Sequence, residues 1–154
     1  MSVTIRAAAL PDLPAVLAIE RQADGAAHWS PQQYEPRLVD GTLLIAEEGH
    51  AAVGFLCARE IAGEWELENV AVIVSSRRQG VGQQLLQEFL RNARERGAVA
   101  VWLEVRASNV AAQTLYGKCG FRLTGTRRAY YQNPSEDALL YEIRWLSEGV
   151  RDET

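Results

Sequence analysis

Apolar and polar positions alternate from Val3 to Ala8, the period of a half-buried strand, and the period then changes. Pro11-Asp12-Leu13-Pro14 opens a helical stretch with Leu13, Val16, Leu17 and Ile19 on one face, fraying near Asp24-Gly25. Gly25 to Trp29 reads as a loop. Ser30-Pro31-Gln32-Gln33 then starts a second helix, with Ser as N-cap, Pro in the first turn and Gln closing a capping box. Strands follow at Thr42 to Glu47, Ala51 to Glu60 and Trp65 to Val72, an antiparallel meander whose first link is Glu48-Gly49-His50. Gly82 to Arg96 carries Leu85, Leu86, Phe89, Leu90 and Ala93 at helical spacing and stops at Gly97. Val99 to Val105 is almost continuously apolar and predicts a central strand covered on both faces. A helix from Asn109 to Lys118 ends at Gly120, and strands from Phe121 to Tyr131 and from Ala138 to Leu146 are separated by Asn133-Pro134-Ser135. The order β-α-α-β-β-β-α-β-α-β-β implies a mixed sheet with helices on its faces. Ligands are then sought at the strand–helix junction after Val72 and at the end of the strand at Val105.

Composition narrows the class. The chain has 154 residues, 47% hydrophobic and 23% charged, the balance of a globular domain long enough for its own core. We expect a single domain over residues 1–147 and a frayed tail at 148–154. No apolar run approaches the roughly 18–20 residues of a membrane span, and Met1 to Arg6 shows no apolar leader. Cys57 and Cys119 form no disulfide framework and share no metal-ligand spacing with His28 or His50. A cytoplasmic protein without a metal site or membrane partner is expected. The net charge of −4 and pI near 5.3 argue against general nucleic-acid binding.

Candidate chemistry clusters after the third meander strand. Arg77-Arg78-Gln79-Gly80-Val81-Gly82-Gln83 leads into a helix, so its amides can converge on an anion, and Gly80 and Gly82 admit close approach of backbone to phosphate. A plain tight turn reads the same residues equally well. Glu104 lies near the end of an apolar strand, where a carboxylate is paired, solvated or used. It serves either as a strand-end partner of Arg106 or backbone amides, or as a base. Tyr116 is either a core tyrosine or a proton donor, and Asn109 is placed as an N-cap. Glu64, Glu66 and Glu68 share one face by period two and read as a solvated face. His28, Trp29, Tyr130 and Tyr131 are candidate walls of an acceptor groove, or loop aromatics that cap the core. Arg127 and Arg128 read as exposed strand charges.

Taken with Leu103-Glu104-Val105-Arg106-Ala107-Ser108-Asn109 and Leu115-Tyr116-x-x-x-Gly120-Phe121, the segment Arg77-x-x-Gly80-x-Gly82 closely resembles the GNAT superfamily of N-acetyltransferases. Arg127-Arg128-x-Tyr130-Tyr131 and Glu136-Asp137-Ala138-Leu139-Leu140 extend the likeness toward bacterial ribosomal-protein-alanine N-acetyltransferases, the RimI-like group. The resemblance implies an α/β (α+β) fold with a mixed, mostly antiparallel central sheet of about seven strands flanked by about four helices. It implies acetyl-CoA as co-substrate, with the pyrophosphate on Arg77 to Gln83, further contacts from Asn109, and the pantetheine and thioester carbonyl on backbone groups of Val70, Ala71 and Val72, where that strand splays from Val99–Val105. Glu104 resembles the general base and Tyr116 the general acid. The implied acceptor is a protein N-terminus, such as that of a ribosomal protein, attacked directly in a ternary complex by a monomer or weak homodimer. A small amine, an antibiotic or a lysine side chain is the alternative acceptor, and a non-catalytic acyl-CoA-binding or docking module the alternative class. Val74-Ser75-Ser76 departs from the family's Pro and aromatic before the phosphate loop without removing an amide donor.

Overall fold

The computed structural model describes residues 2–23, 28–77, 79–132 and 134–145. Strand β1 (Val3–Ala7) leads through a 3-10 turn (Leu10–Asp12) into α1 (Leu13–Gln22), followed by α2 (Pro31–Asp40). Three strands come next, β2 (Leu43–Glu48), β3 (Ala51–Ile61) and β4 (Glu64–Val72). A second 3-10 turn (Val74–Ser76) precedes α3 (Val81–Glu95), β5 (Ala100–Arg106), α4 (Val110–Lys118), β6 (Arg122–Tyr131) and β7 (Glu136–Arg144). The seven strands form one sheet in the order β1-β2-β3-β4-β5-β7-β6. Its neighbours run antiparallel at β1/β2, β2/β3, β5/β7 and β6/β7, and parallel at β4/β5, where Glu64, Trp65 and Glu66 face Ala100, Val101 and Trp102. The mixed sheet expected from the element order, and the mostly antiparallel arrangement of seven strands that the resemblance implies, are therefore present. Strand β7 begins ahead of the expected Ala138 because Glu136 pairs with Tyr131.

The residues gather into two compact units, Met1–Arg59 with Leu67–Phe89, and Glu60–Glu66 with Leu90–Thr154. In the first, α1 turns Leu13, Val16 and Ile19 inward, and they pack with Tyr34 of α2, Leu43 and Ile45 of β2, and Phe55 and Cys57 of β3. The Ser30 N–H donates to Gln33 Oε1 at 2.8 Å, one arm of the expected capping box, and α2 ends at Gly41 with φ +72°. Tyr34 stands edge-on to Phe55, ring centroids 6.0 Å apart. A Cβ on Gly54 would lie 3.0 Å from the Ala71 carbonyl oxygen, so glycine is what lets β3 and β4 approach there.

In the second unit, Ala62 and Gly63 both take positive φ, the type I′ geometry of a two-residue hairpin between β3 and β4. Strand β5 is central, yet only its Val101, Leu103 and Val105 face is fully buried; Trp102, Glu104 and Arg106 on the other face are half-buried. This corrects the expectation of cover on both faces, which the short apolar run could not separate from simple alternation. Tyr116 of α4 is buried against Phe121 and Tyr141, with ring centroids 5.7 and 6.4 Å away. Among the described residues, no helix is long and apolar enough to cross a membrane.

Candidate active site

In the first unit, β4 runs out at Val70, Ala71 and Val72, and Ile73 N–H bonds the Val53 carbonyl at 2.9 Å. The described parallel register of β4 covers Glu64–Glu66, at the opposite end of the strand from these three residues. Arg77 turns back so that its Nε–H donates to the Val72 carbonyl at 2.9 Å, and Gln79 Nε2 donates to the Ser75 carbonyl at 3.2 Å. Two side chains of the expected phosphate loop thus brace the turn instead of extending from it. Gly80 has φ +82° and open space where a Cβ would be. Helix α3 starts at Val81, with Gln84 N–H bonded to the Gly80 carbonyl at 2.9 Å, so the amides of Val81, Gly82 and Gln83 have no intrahelical acceptor, the state of a helix N-terminus that can take an anion. Arg78 and the Gly25–Ala27 part of the proposed acceptor loop lie outside the described residues, as do Asn133 and everything after Trp145.

Nearby, Glu20 is only 3% exposed although it sits in a helix. It accepts hydrogen bonds from the Tyr34 hydroxyl and, at 3.0 Å, from the Trp29 backbone N–H, and His28 Nδ1 stands 3.9 Å away. Asn69 Nδ2 reaches the Tyr34 hydroxyl at 3.5 Å. Trp29 stacks at 5.1 Å on Tyr34 and joins the core, while His28 is exposed. Burial and the Glu20 carboxylate push the Tyr34 phenol well above its usual range. This network went unread in the sequence. Its signal is a carboxylate at Leu13+7 and Val16+4, on the apolar face of α1. Glu68, read as part of a solvated face, is instead gripped by Arg37 at 2.6 and 2.8 Å, with 8% of its side chain exposed. Two buried polar side chains on facing elements satisfy each other, a pairing that one-strand periodicity cannot show.

In the second unit, Tyr131 at the end of β6 interacts with Glu104 and Arg106 of β5 and with Tyr116 of α4. The side chain of Glu104 is 14% exposed, and its Oε2 has no hydrogen-bond partner among the described residues. It does not pair with Arg106, which bonds Glu136 at 3.1 Å and lies 4.3 Å over the Tyr131 ring. The neighbouring cation is Arg127, with Nε 3.5 Å from Oε2, so Arg127 is not the plain surface charge expected. Burial, then the nearby Tyr131, raises the Tyr116 phenol well above its ordinary range and keeps it protonated. Burial, followed by the Glu104 charge, raises Tyr131 in the same direction. Asn109 caps α4 as read, its Oδ1 accepting from Ala112 N–H at 3.1 Å, and its amide NH2 has no partner among the described residues. Tyr130 is 48% exposed and meets Tyr131 edge-on at 5.2 Å.

A glycine turn at a helix N-terminus after a strand, followed along the chain by a strand with a shielded carboxylate and a helix with a protonated phenol, is the order of parts that the GNAT resemblance implies for a CoA-dependent acyl-transferring enzyme. The acetyltransferase (GNAT) family model matches residues 8–121. The chain is 36% identical over 144 residues to the ribosomal protein bS18-alanine N-acetyltransferase of Escherichia coli strain K12, spanning 91% of this chain and 96% of the relative. The crystal structure of the ribosomal-protein-S18-alanine N-acetyltransferase from Escherichia coli matches with TM-score 0.85 at 31% identity, over 96% of this chain and 97% of that one. Ard1 from Thermoplasma volcanium matches with TM-score 0.86 at 26% identity, over 96% and 100%. The chain belongs to the acetyltransferase (GNAT) family and is an N-acetyltransferase that uses acetyl-CoA.

Proposed function

We propose that this enzyme acetylates a protein N-terminal α-amine of the ribosomal-protein-alanine type, and that residues 1–147 act as one catalytic domain. The observation that carries the reading is the shielded, unbonded Oε2 of Glu104, a base with a free lone pair, in a chain whose 36% identical relative is named for that reaction. Acetyl-CoA supplies the activated acetyl group as a thioester. The amides of Val81, Gly82 and Gln83 hold the pyrophosphate, and the amide NH2 of Asn109 is available to the same co-substrate. Backbone groups at Val70–Val72 hold the pantetheine and stabilise the charge that develops on the carbonyl oxygen. Glu104, through water, takes the proton of the attacking amine; Tyr116 donates a proton to the departing sulfur, with no acetylated enzyme between. In the second unit, Tyr130 and Tyr131 border the acceptor. An α-amine, with reference pKa near 7.7–8.0, is neutral at pH 7 about two orders of magnitude more often than a lysine near 10.4, so it asks less of a base acting through water.

The test is thiol release from acetyl-CoA against peptides beginning with Ala, Ser or Met, a blocked peptide containing Lys, and polyamines, with mass spectrometry locating the acetyl group. Acetyl on the Ala α-amine is expected, with kcat lowered about 10²- to 10⁴-fold in Glu104→Gln while acetyl-CoA binding persists. Transfer only to Lys or to small amines would overturn the N-terminal assignment.

A further inference from the structure

The carboxylate of Glu104 is largely shielded from water and its Oε2 accepts no hydrogen bond among the described residues. A buried anion left without a cation is costly. Two arginines lie near, and they differ. Arg106 is committed: it bonds Glu136 at 3.1 Å, approaches the Pro134 and Gln132 carbonyls at 3.5 Å, and stacks on Tyr131. Arg127 is not. Its side chain is 53% exposed, its Nε stands 3.5 Å from Glu104 Oε2, and beyond that, among the described residues, it meets only the face of Tyr130, 5.3 Å from the ring centroid. It also occupies the last regular pairing, Arg127 with Ala138, before the β6–β7 register breaks. In that break Ala129 has φ +50° and its N–H bonds Asp137 Oδ1 at 2.9 Å. The guanidinium is thus a long, half-solvated arm at the edge of an irregular segment, touching the one carboxylate oxygen that nothing else holds.

Taking Glu104 as the base, we infer that Arg127 is its displaceable counter-ion, which gives up its place to the α-ammonium of the acceptor as the acceptor binds. The α-amine of a peptide is mostly protonated at neutral pH, so it arrives as a cation of the same charge. Exchanging one cation for the other keeps the buried carboxylate compensated throughout. Arg127 can retire onto Tyr130 and into solvent at little cost, because a half-exposed ion pair of this kind is worth little. Arg127 therefore competes with the acceptor, and its removal should tighten acceptor binding.

The experiment is steady-state kinetics of Arg127→Gln and Arg127→Lys at saturating acetyl-CoA and constant ionic strength, with an Ala-initiated peptide as acceptor. In Arg127→Gln the acceptor KM is expected to fall about two- to fivefold, the worth of such a pair, with kcat within about twofold. Arg127→Lys, which keeps the charge, should return KM to the wild-type value. A rise in KM on Arg127→Gln would mean that Arg127 holds the acceptor and would overturn the exchange. An unchanged KM, or a fall in kcat at constant KM, overturns it equally. Glu104→Gln run alongside separates the two readings. Wild-type kcat in Glu104→Gln defeats the base assignment itself, whereas a slow Glu104→Gln beside an Arg127→Gln of unchanged KM defeats only the counter-ion.

Discussion

Tyr34→Phe removes one hydroxyl from a fully buried ring and leaves the packing on Phe55 and Trp29 in place. What it takes away is the donor to Glu20, a carboxylate with 4% of its side chain exposed that keeps the Trp29 N–H at 3.0 Å and His28 Nδ1 3.9 Å away, together with the oxygen that Asn69 Nδ2 reaches at 3.5 Å. A hydrogen bond to a charged group is worth about 1.5–3 kcal/mol, and the phenyl ring refills nearly all of the volume, so no cavity cost adds to it. For a chain of this length each kcal/mol moves the melting temperature by about 2–4 °C, which gives an expected loss of about 3–12 °C. The Tyr34 phenol is raised well above its usual range, so it remains a donor at all pH values near neutrality and the loss should not depend on pH there. Thermal or urea unfolding followed by tryptophan fluorescence, with Trp29 5.1 Å from the ring, reads the change directly. Repeating Tyr34→Phe in a Glu20→Gln background supplies the cycle: against a neutral acceptor the same substitution should cost roughly half as much. A loss under about 0.5 kcal/mol in the native background, or an equal loss in both, would refute the claim that a charged hydrogen bond is at stake.

Two further outcomes are expected. Arg6 makes a bidentate contact with Asp12 at 2.8 and 2.9 Å and bonds Glu47 at 2.8 Å, and its hydrogen bonds hold both carboxyls below their usual range. Because the folded values are depressed, their contribution is present above the unfolded values near 4 and is lost as pH falls through the folded ones, so melting temperatures measured from pH 6 downward should decline less steeply in Arg6→Met than in wild type. Gly80→Ala places a side chain at φ +82°, costing about 1–2 kcal/mol of backbone strain with no clash. If the turn relaxes, the amides of α3 move, and a rise of about 5- to 30-fold in the acetyl-CoA KM is expected; an unchanged KM would mean that the turn does not set those amides.

Much of the molecule could be read from residue order. The period changes from strand to helix, Ser30, Gly97 and Asn109 mark helix ends through local hydrogen bonding or left-handed backbone, and these are short-range preferences that do not need the fold. The glycine turn before α3 was legible for the same reason, since Gly80 takes the left-handed φ of +82° that favours glycine. Glu104 and Tyr116 were legible as residue types in a strand and helix with a family resemblance, whereas the apolar run did not show that the Glu104 face of β5 is only half-buried.

Local sequence determined element order, caps, the hairpin and turn glycines, and which positions carried candidate chemistry, because each depends on backbone preference and side-chain period within a few residues. Only the tertiary structure decided that Glu20 meets Tyr34, that Arg37 and not water neutralises Glu68, and that Arg106 turns to Glu136 while Arg127 is left to face Glu104. The pairs are 14, 31, 30 and, from 104 to 127, 23 residues apart. Which carboxylate receives which cation at such separations is set by the register of strands and the packing of helices, where the cost of an unpaired buried charge selects among partners that are equivalent along the chain.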